Sequence, residues 1–414
     1  MAWHPILSAL RRHKAGVALI VLQVALTLAI VCNALFLIAQ RLERVDRPTG
    51  VIEPGLIRIS QAWYHAPAGD DAGSIEQLDA LQRTDLATLR GLPDVLEVAA
   101  SDSMPLQGSI WSGNLTRSPD ANDKGVTAAY YYGDEHLRST FGLRLVAGRD
   151  FRAGEILHHG VRSTAVSPVI IVSQPVADAL FPGGHALGQT VYQDGKPAII
   201  VGIVERLQTP TTSKWGSGWS YNSVLEPVRL DGPLASYAVR TRPGHEQAAM
   251  REVRKALLAV NPMRVMPDSW GVQSMAQIRD KIYRGDRGMV LVMAIVCLIL
   301  VCVTAAGIAG LTSFWVGQRR KQIGVRRALG ARRHDIVRHF QAENLVIAGM
   351  GVLLGALLAF ALNLWLIARY TAAPIPAIYV GAGVLAMLAL GQAAAFVPAR
   401  KASHVPPVVA TRSV

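Results

Sequence analysis

Four stretches of the chain contain no charged side chain: 15–39, 288–316, 344–368 and 377–397. Each reaches the ~20 helical residues needed to cross a hydrocarbon core. A lone span must satisfy its backbone hydrogen bonds internally, so each is expected as a helix. Helices buried in a soluble core normally keep a polar face, which these stretches lack. The first could instead be a secretory leader, because Arg11, Arg12 and Lys14 precede it. Its uncharged run exceeds the ~7–15 residues of a signal core. Leu37-Ile38-Ala39-Gln40 also offers no small-x-small cleavage site. It reads as a retained anchor.

The long segment 40–287 has a different pattern. Alternation of Leu56, Arg58 and Ser60 predicts a strand over 55–60. Ile75, Leu78, Leu81, Leu86 and Leu89 fall at helical spacing over 74–90, and Gly91-Leu92-Pro93 ends that helix before a strand at 95–100. A second strand–helix–strand unit occupies 236–240, 246–260 and 263–266. Two such units at opposite ends predict one α/β subdomain built from both. Between them, over about 101–230, short β-prone runs are punctuated by Gly, Pro and Asp, with strands at 169–172 and 198–204 and a helix at 175–181. This predicts an inserted β-rich subdomain. The expected fold is a membrane protein with four transmembrane α-helices and a large α+β domain between the first two.

Charge placement adds a topology. The chain is 51% hydrophobic and 17% charged, with a net charge of +13. The segment 40–287 holds 27 basic and 27 acidic residues, so the excess lies elsewhere. It sits at Arg11, Arg12 and Lys14, in the eight basic residues of 317–343, and at Arg400, Lys401 and Arg412. The positive-inside rule then makes 1–14, 317–343 and 398–414 cytoplasmic, and 40–287 external. A nucleic-acid reading of the high pI loses its support. Cys32, Cys297 and Cys302 all fall within spans, so the external domain is expected to fold without disulfides.

Candidate chemistry is sparse. Gly183-Gly184-His185-Ala186-Leu187-Gly188-Gln189-Thr190 has phosphate-loop spacing, but Gln189 stands where the lysine is needed and a Phe181-Pro182 turn precedes it. His158, His159 and His185 lack cysteines or spaced carboxylates to complete a metal set, and read as exposed loop histidines. No nucleophile elbow, zinc-binding helix or paired carboxylate appears. The polar residues within spans, among them Gln23, Thr27, Asn33, Thr304 and Asn363, are not ionisable, which argues against a proton relay. Gly349, Gly351 and Gly355 would permit close helix packing.

The stretch 319–340 carries the most information. The second helix is expected to continue through 319–329, with Gly330 as its stop. A second short helix at 334–340 then leads into the third span. Ile323, Ala328, Leu329, Ile336, Val337 and Phe340 give apolar faces amid strong positive charge. Binding of anionic membrane lipids explains the charge. A docking element for a cytoplasmic partner also explains the apolar faces.

The run Gln322-Ile-Gly-Val-Arg-Arg-Ala-Leu-Gly-Ala-Arg-Arg-His-Asp-Ile336 closely resembles the hallmark loop of MacB-type and FtsX-like ABC transporter permeases. The tail from Pro398 to Val408, and the external phrases Ala147-Gly-Arg-Asp-Phe151 and Val172 to Pro182, are similar to the same family. The resemblance covers nearly the whole chain. It implies a bacterial inner-membrane permease that pairs as a homodimer or with a paralogue. A separate ABC ATPase subunit, which binds the ATP and Mg, would drive it, leaving no catalytic residue or cofactor in this chain. It also implies a porter-like α/β subdomain with an inserted β subdomain, a periplasmic adaptor, and mechanotransmission serving export or efflux. FtsX-like signalling to a periplasmic or membrane partner, and lipoprotein release, are the alternatives within the family. Carried over, Ile323, Gly324, Val325, Arg326, Arg327, Ala328, Leu329, Gly330, Asp335 and Ile336 would form the ATPase contact. Gln322 departs from the family's Glu, Arg332 from a common capping Ser, and His334 from a common Arg.

Overall fold

The computed structural model describes residues 14–67, 71–108, 111–120, 124–163, 165–212, 218–370 and 373–404. Arg11, Arg12, Arg412 and the Val405–Val408 part of the family-like tail lie outside them. Two compact units emerge: Arg47–Arg284, and a second drawing on Met1–Asp46 and Gly285–Val414.

In the first unit, β1 (Leu56–Trp63), α2 (Ala72–Arg90) and β2 (Val95–Ala100) come early, while β11 (Leu234–Thr241), α5 (Glu246–Val260), β12 (Arg264–Val265) and β13 (Val272–Ser274) come late. Their strands form one antiparallel sheet of order β12-β1-β11-β2, with β13 also on β1. Alternation along β1 turns Ile57, Ile59 and Trp63 toward α2 and α5. There they pack with Leu78, Leu89, Val253 and Leu257. The opposite face carries Arg58 and Ser60. On the helix side, Arg264 grips Asp85 with Nη2–Oδ1 at 2.9 Å and Nη1–Oδ2 at 3.0 Å, both side chains being 1% exposed. Gln61 and the Tyr237 hydroxyl donate to the same carboxylate. The expected strand at 263–266 shrinks to Arg264–Val265, because Pro267 has no N–H to extend the ladder.

The insertion contains β3 (Trp111–Thr116), β4 (Val126–Gly133), α3 (Leu137–Phe141), β5 (Leu145–Gly148), β6 (Leu157–Gly160), β7 (Val169–Ser173), α4 (Gln174–Leu180), β8 (Thr190–Gln193), β9 (Lys196–Val204) and β10 (Ser223–Asp231). Its sheet runs β4-β3-β8-β9-β7-β10-β6, with β5 on β9. A parallel pairing of β10 with β4, from Ser223↔Ala129 to Pro227↔Gly133, closes six of these strands into a ring. Leu115, Tyr130, Ile170, Val172, Val191 and Ile200 form its core with Val176 and Leu180 of α4.

Among the described residues, four helices are long and apolar enough to cross a membrane, all in the second unit apart from the start of α6: α1 (Lys14–Val45), α6 (Met275–Gln318), α8 (Arg333–Tyr370) and α9 (Ala377–Ser403). Between α6 and α8 lies α7 (Arg320–Ala328). Each long helix outruns its uncharged stretch, because a helix ends at a cap or breaker rather than where charge begins. Two expectations change here. The backbone breaks at Arg319, so α7 is separate from α6 rather than its continuation. The helix expected at 334–340 is the first part of α8, since no Gly or Pro interrupts 333–348.

Small residues set the bundle's packing. A Cβ on Gly351 would lie 2.8 Å from Val24 Cβ, and one on Gly355 2.9 Å from Ala25 Cα, so α8 and α1 approach through these glycines. Gly349 faces open space. The polar span residues bond within the bundle: Thr27 with Thr304 at 2.8 Å, and Asn33 Nδ2 to the Ala29 and Ala359 carbonyls at 2.9 and 3.0 Å. Arg41 and Asp286 join α1 to α6.

Candidate functional site: the basic helix pair

Helix α7 ends where Gly330 takes φ +97°, a conformation that disfavours any side chain. Ala331 N then donates to Arg326 O at 3.0 Å and Gly330 N to Arg327 O at 3.1 Å, satisfying the last carbonyls. The chain turns directly into α8. Asp335 starts that helix by accepting from the Arg332 backbone N–H at 3.0 Å, the acidic half of a capping box. Arg332 offers no side-chain oxygen to complete the other half.

The ten family-matched positions divide into two sets. Ile323 and Ile336, each 4% exposed, pack with Val316, Phe340, Ala399 and Ala402, and Gly324 is buried beside them. This apolar knot locks α7 onto α8 and α9. Val325, Arg326, Ala328, Leu329, Gly330 and Asp335 are exposed, and Arg327 is half-buried. Leu329 is the extreme, 83% exposed at the tip of the turn.

Several residues that fix this site carry no motif of their own in the sequence. Arg319 Nη1 lies 2.9 Å from both carboxylate oxygens of Glu343, joining the break after α6 to α8. Asn344 Nδ2 donates to Gly391 O at 2.9 Å and Gln341 Nε2 to Gln392 O at 3.1 Å, which ties α8 to α9. Opposite charges 24 residues apart, flanking a basic loop, were the only available signal.

The other leads resolve differently. The glycine-rich run 183–190 is a turn leading into β8, with Gly184 and Gly188 at φ +80°. No helix N-terminus follows to receive a phosphate. His158 and His159 sit on β6 rather than in a loop. His158 Nδ1 lies 3.1 Å from Asp79 Oδ1 and 3.2 Å from Asp231 Oδ2, so the fold supplies carboxylates that the spacing did not reveal. These three could span a metal ion, but arginines already serve Asp79: Arg229 pairs with it, and Arg83 Nε lies at 2.8 Å. Among the described residues the cluster is an ion-pair network.

The description "MacB-like periplasmic core domain" matches residues 15–256, and "FtsX-like permease C-terminal" matches 293–407. The chain belongs to the MacB-like, FtsX-like family of ABC permeases. Among relatives, the Neisseria gonorrhoeae protein called macrolide export ATP-binding/permease protein MacB is 26% identical over 68% of this chain and 43% of its own length. Its namesake from Pasteurella multocida is 25% identical over 81% of this chain and 49% of its own. This chain thus spans about half the length of the curated relatives it matches. A crystal structure of the periplasmic region of MacB from Actinobacillus actinomycetemcomitans aligns with 58% of this chain and 97% of its own, at 16% identity and a TM-score of 0.34. The MacB-like chain is a multi-pass membrane permease with its β-rich periplasmic domain between the first two spans.

Proposed function

We propose that this permease works in the bacterial inner membrane as the moving half of an export machine powered by a separate ATPase subunit. That subunit would dock on the α7–α8 turn, and nucleotide-driven movement would pass to the periplasmic domain for extrusion of a substrate. One observation carries the reading: Val325 and Leu329 are exposed beside Arg326 on a turn held firm by its own apolar knot. Exposed apolar residues on a rigid, highly charged element suit a protein partner better than water, while the flanking arginines suit anionic lipid headgroups. The relatives' printed names join ATP binding to permease, and the match spans only half of each. Largely exposed apolar residues along α6, such as Leu291, Leu298 and Ile299, support a permease pair in the membrane. Reversing charge at Arg326 and Arg327 tests the docking. The wild type should retain a nucleotide-binding subunit through purification from native membranes, and the double variant should release it without losing its own folded state. Equal retention by both would remove the basis for this docking site.

A further inference from the structure

Within the periplasmic domain, a cavity of about 540 Å³ opens between the two sheets. That volume lies in the ~300–1,000 Å³ range of small-molecule sites. Arg58 of β1 points into it from the face opposite the helices. Its guanidinium makes no ion pair among the described residues. It donates weakly to Ser60 Oγ at 3.4 Å, and its Nε is buried without a partner. Burial lowers its pKa to about 10, so it remains charged at neutral pH. The facing Asp102 is already engaged, accepting from Tyr132 N at 2.9 Å and Ser103 Oγ at 3.0 Å. Arg229 and Asp231, also on the wall, are taken up by Asp79, His158 and Gln82. One wall therefore presents a cation that no carboxylate pairs with directly, Asp102 acting on it only from a distance.

Beside polar groups such as Ser101, Gln107 and Arg162, the lining carries large apolar side chains that are unusually exposed for their chemistry. Trp111 is 45% exposed, Trp270 38% and Leu234 67%. Trp111 stands edge-on to Tyr132 with ring centroids 6.2 Å apart, making an aromatic corner. A guanidinium with no ion pair matches a planar oxyanion through its two-pronged donors. Aromatic and aliphatic walls match a hydrophobic body.

We propose that this cavity binds a small amphipathic carboxylate, its head on Arg58 and its apolar body against Trp111, Tyr132 and Leu234. The site is independent of the α7–α8 turn, so its test does not depend on any ATPase.

The test uses the full chain in lipid nanodiscs, with empty nanodiscs subtracted, and equilibrium dialysis against naphthoate, its neutral amide and inorganic phosphate. Naphthoate should bind saturably, and the amide and phosphate at least tenfold more weakly. Arg58→Gln should weaken naphthoate at least tenfold, with Arg58→Lys recovering part of the loss. Leu234→Glu sets a negative charge at the exposed mouth without touching the core, and should weaken it comparably. If Arg58→Gln fails to fold by circular dichroism, Leu234→Glu decides alone. No saturable naphthoate binding, equal affinity for the amide or phosphate, or undiminished binding in the folded variants would each overturn the proposal.

Discussion

Arg319 reaches both carboxylate oxygens of Glu343 through one nitrogen, each at 2.9 Å, and the two side chains are only 16% and 4% exposed. The pair sits where α6 breaks and α7 begins, so it anchors the base of the proposed docking turn to α8. A buried charge that loses its partner remains desolvated without compensation.

Glu343→Gln should therefore destabilise the membrane unit by about 3 kcal/mol. Thermal unfolding in detergent measures this. Adding Arg319→Gln should return part of the loss, since the second change removes the stranded charge.

Helix packing gives a sharper contrast. Gly355→Val would drive a side chain against Ala25 Cα, 2.9 Å from the nearest Cβ position, and should cost about 1–3 kcal/mol. Gly349→Ala meets nothing within 4 Å and should stay within about 1 kcal/mol of wild type. Equal effects in a denaturation series would contradict the close α1–α8 approach.

In the periplasmic domain, Asp85→Ala strands Arg264 inside the core and leaves Gln61 and Tyr237 without their acceptor. A loss of about 3–5 kcal/mol is expected, read as earlier proteolysis of the external segment during heating.

Glu226 predicts a pH dependence. The residue is 1% exposed, and burial raises its pKa from 4.5 to about 7. The folded state thus binds a proton that the unfolded state releases between those values. The stabilisation is complete below about pH 4.5 and is lost as pH rises through 7. Asp102, raised from 3.8 to about 7 by burial, acts in the same direction. Glu226→Gln should unfold later than wild type at pH 8, the advantage shrinking toward pH 4.5. An unfolding midpoint difference independent of pH would argue against this.

Much of the architecture was legible because its signals are local. Uncharged runs fixed the four spans, and helical spacing of Leu78, Leu86 and Leu89 fixed α2. The helix at 246–260 and the strand at 95–100 appear with the expected limits. What stayed hidden depends on partners distant in sequence. Nothing local says that Arg264 belongs to Asp85, or that Asp79 and Asp231 converge on His158. Nor could spacing tell that Ile323 and Ile336 turn inward while Leu329 remains bare. Helicity alone could not reveal the break at Arg319, since arginine is a good helix former.

The sheet that supports the periplasmic domain joins Ile57 of β1 to Val239 of β11. During synthesis its first strand must wait for the whole insertion to be translocated before its neighbour exists. The ring, complete once Asp231 has emerged, can mature first and hold the waiting ends near each other. Biogenesis of this lobe should accordingly be ordered, with an intermediate whose inserted part resists protease while its flanks are still cut.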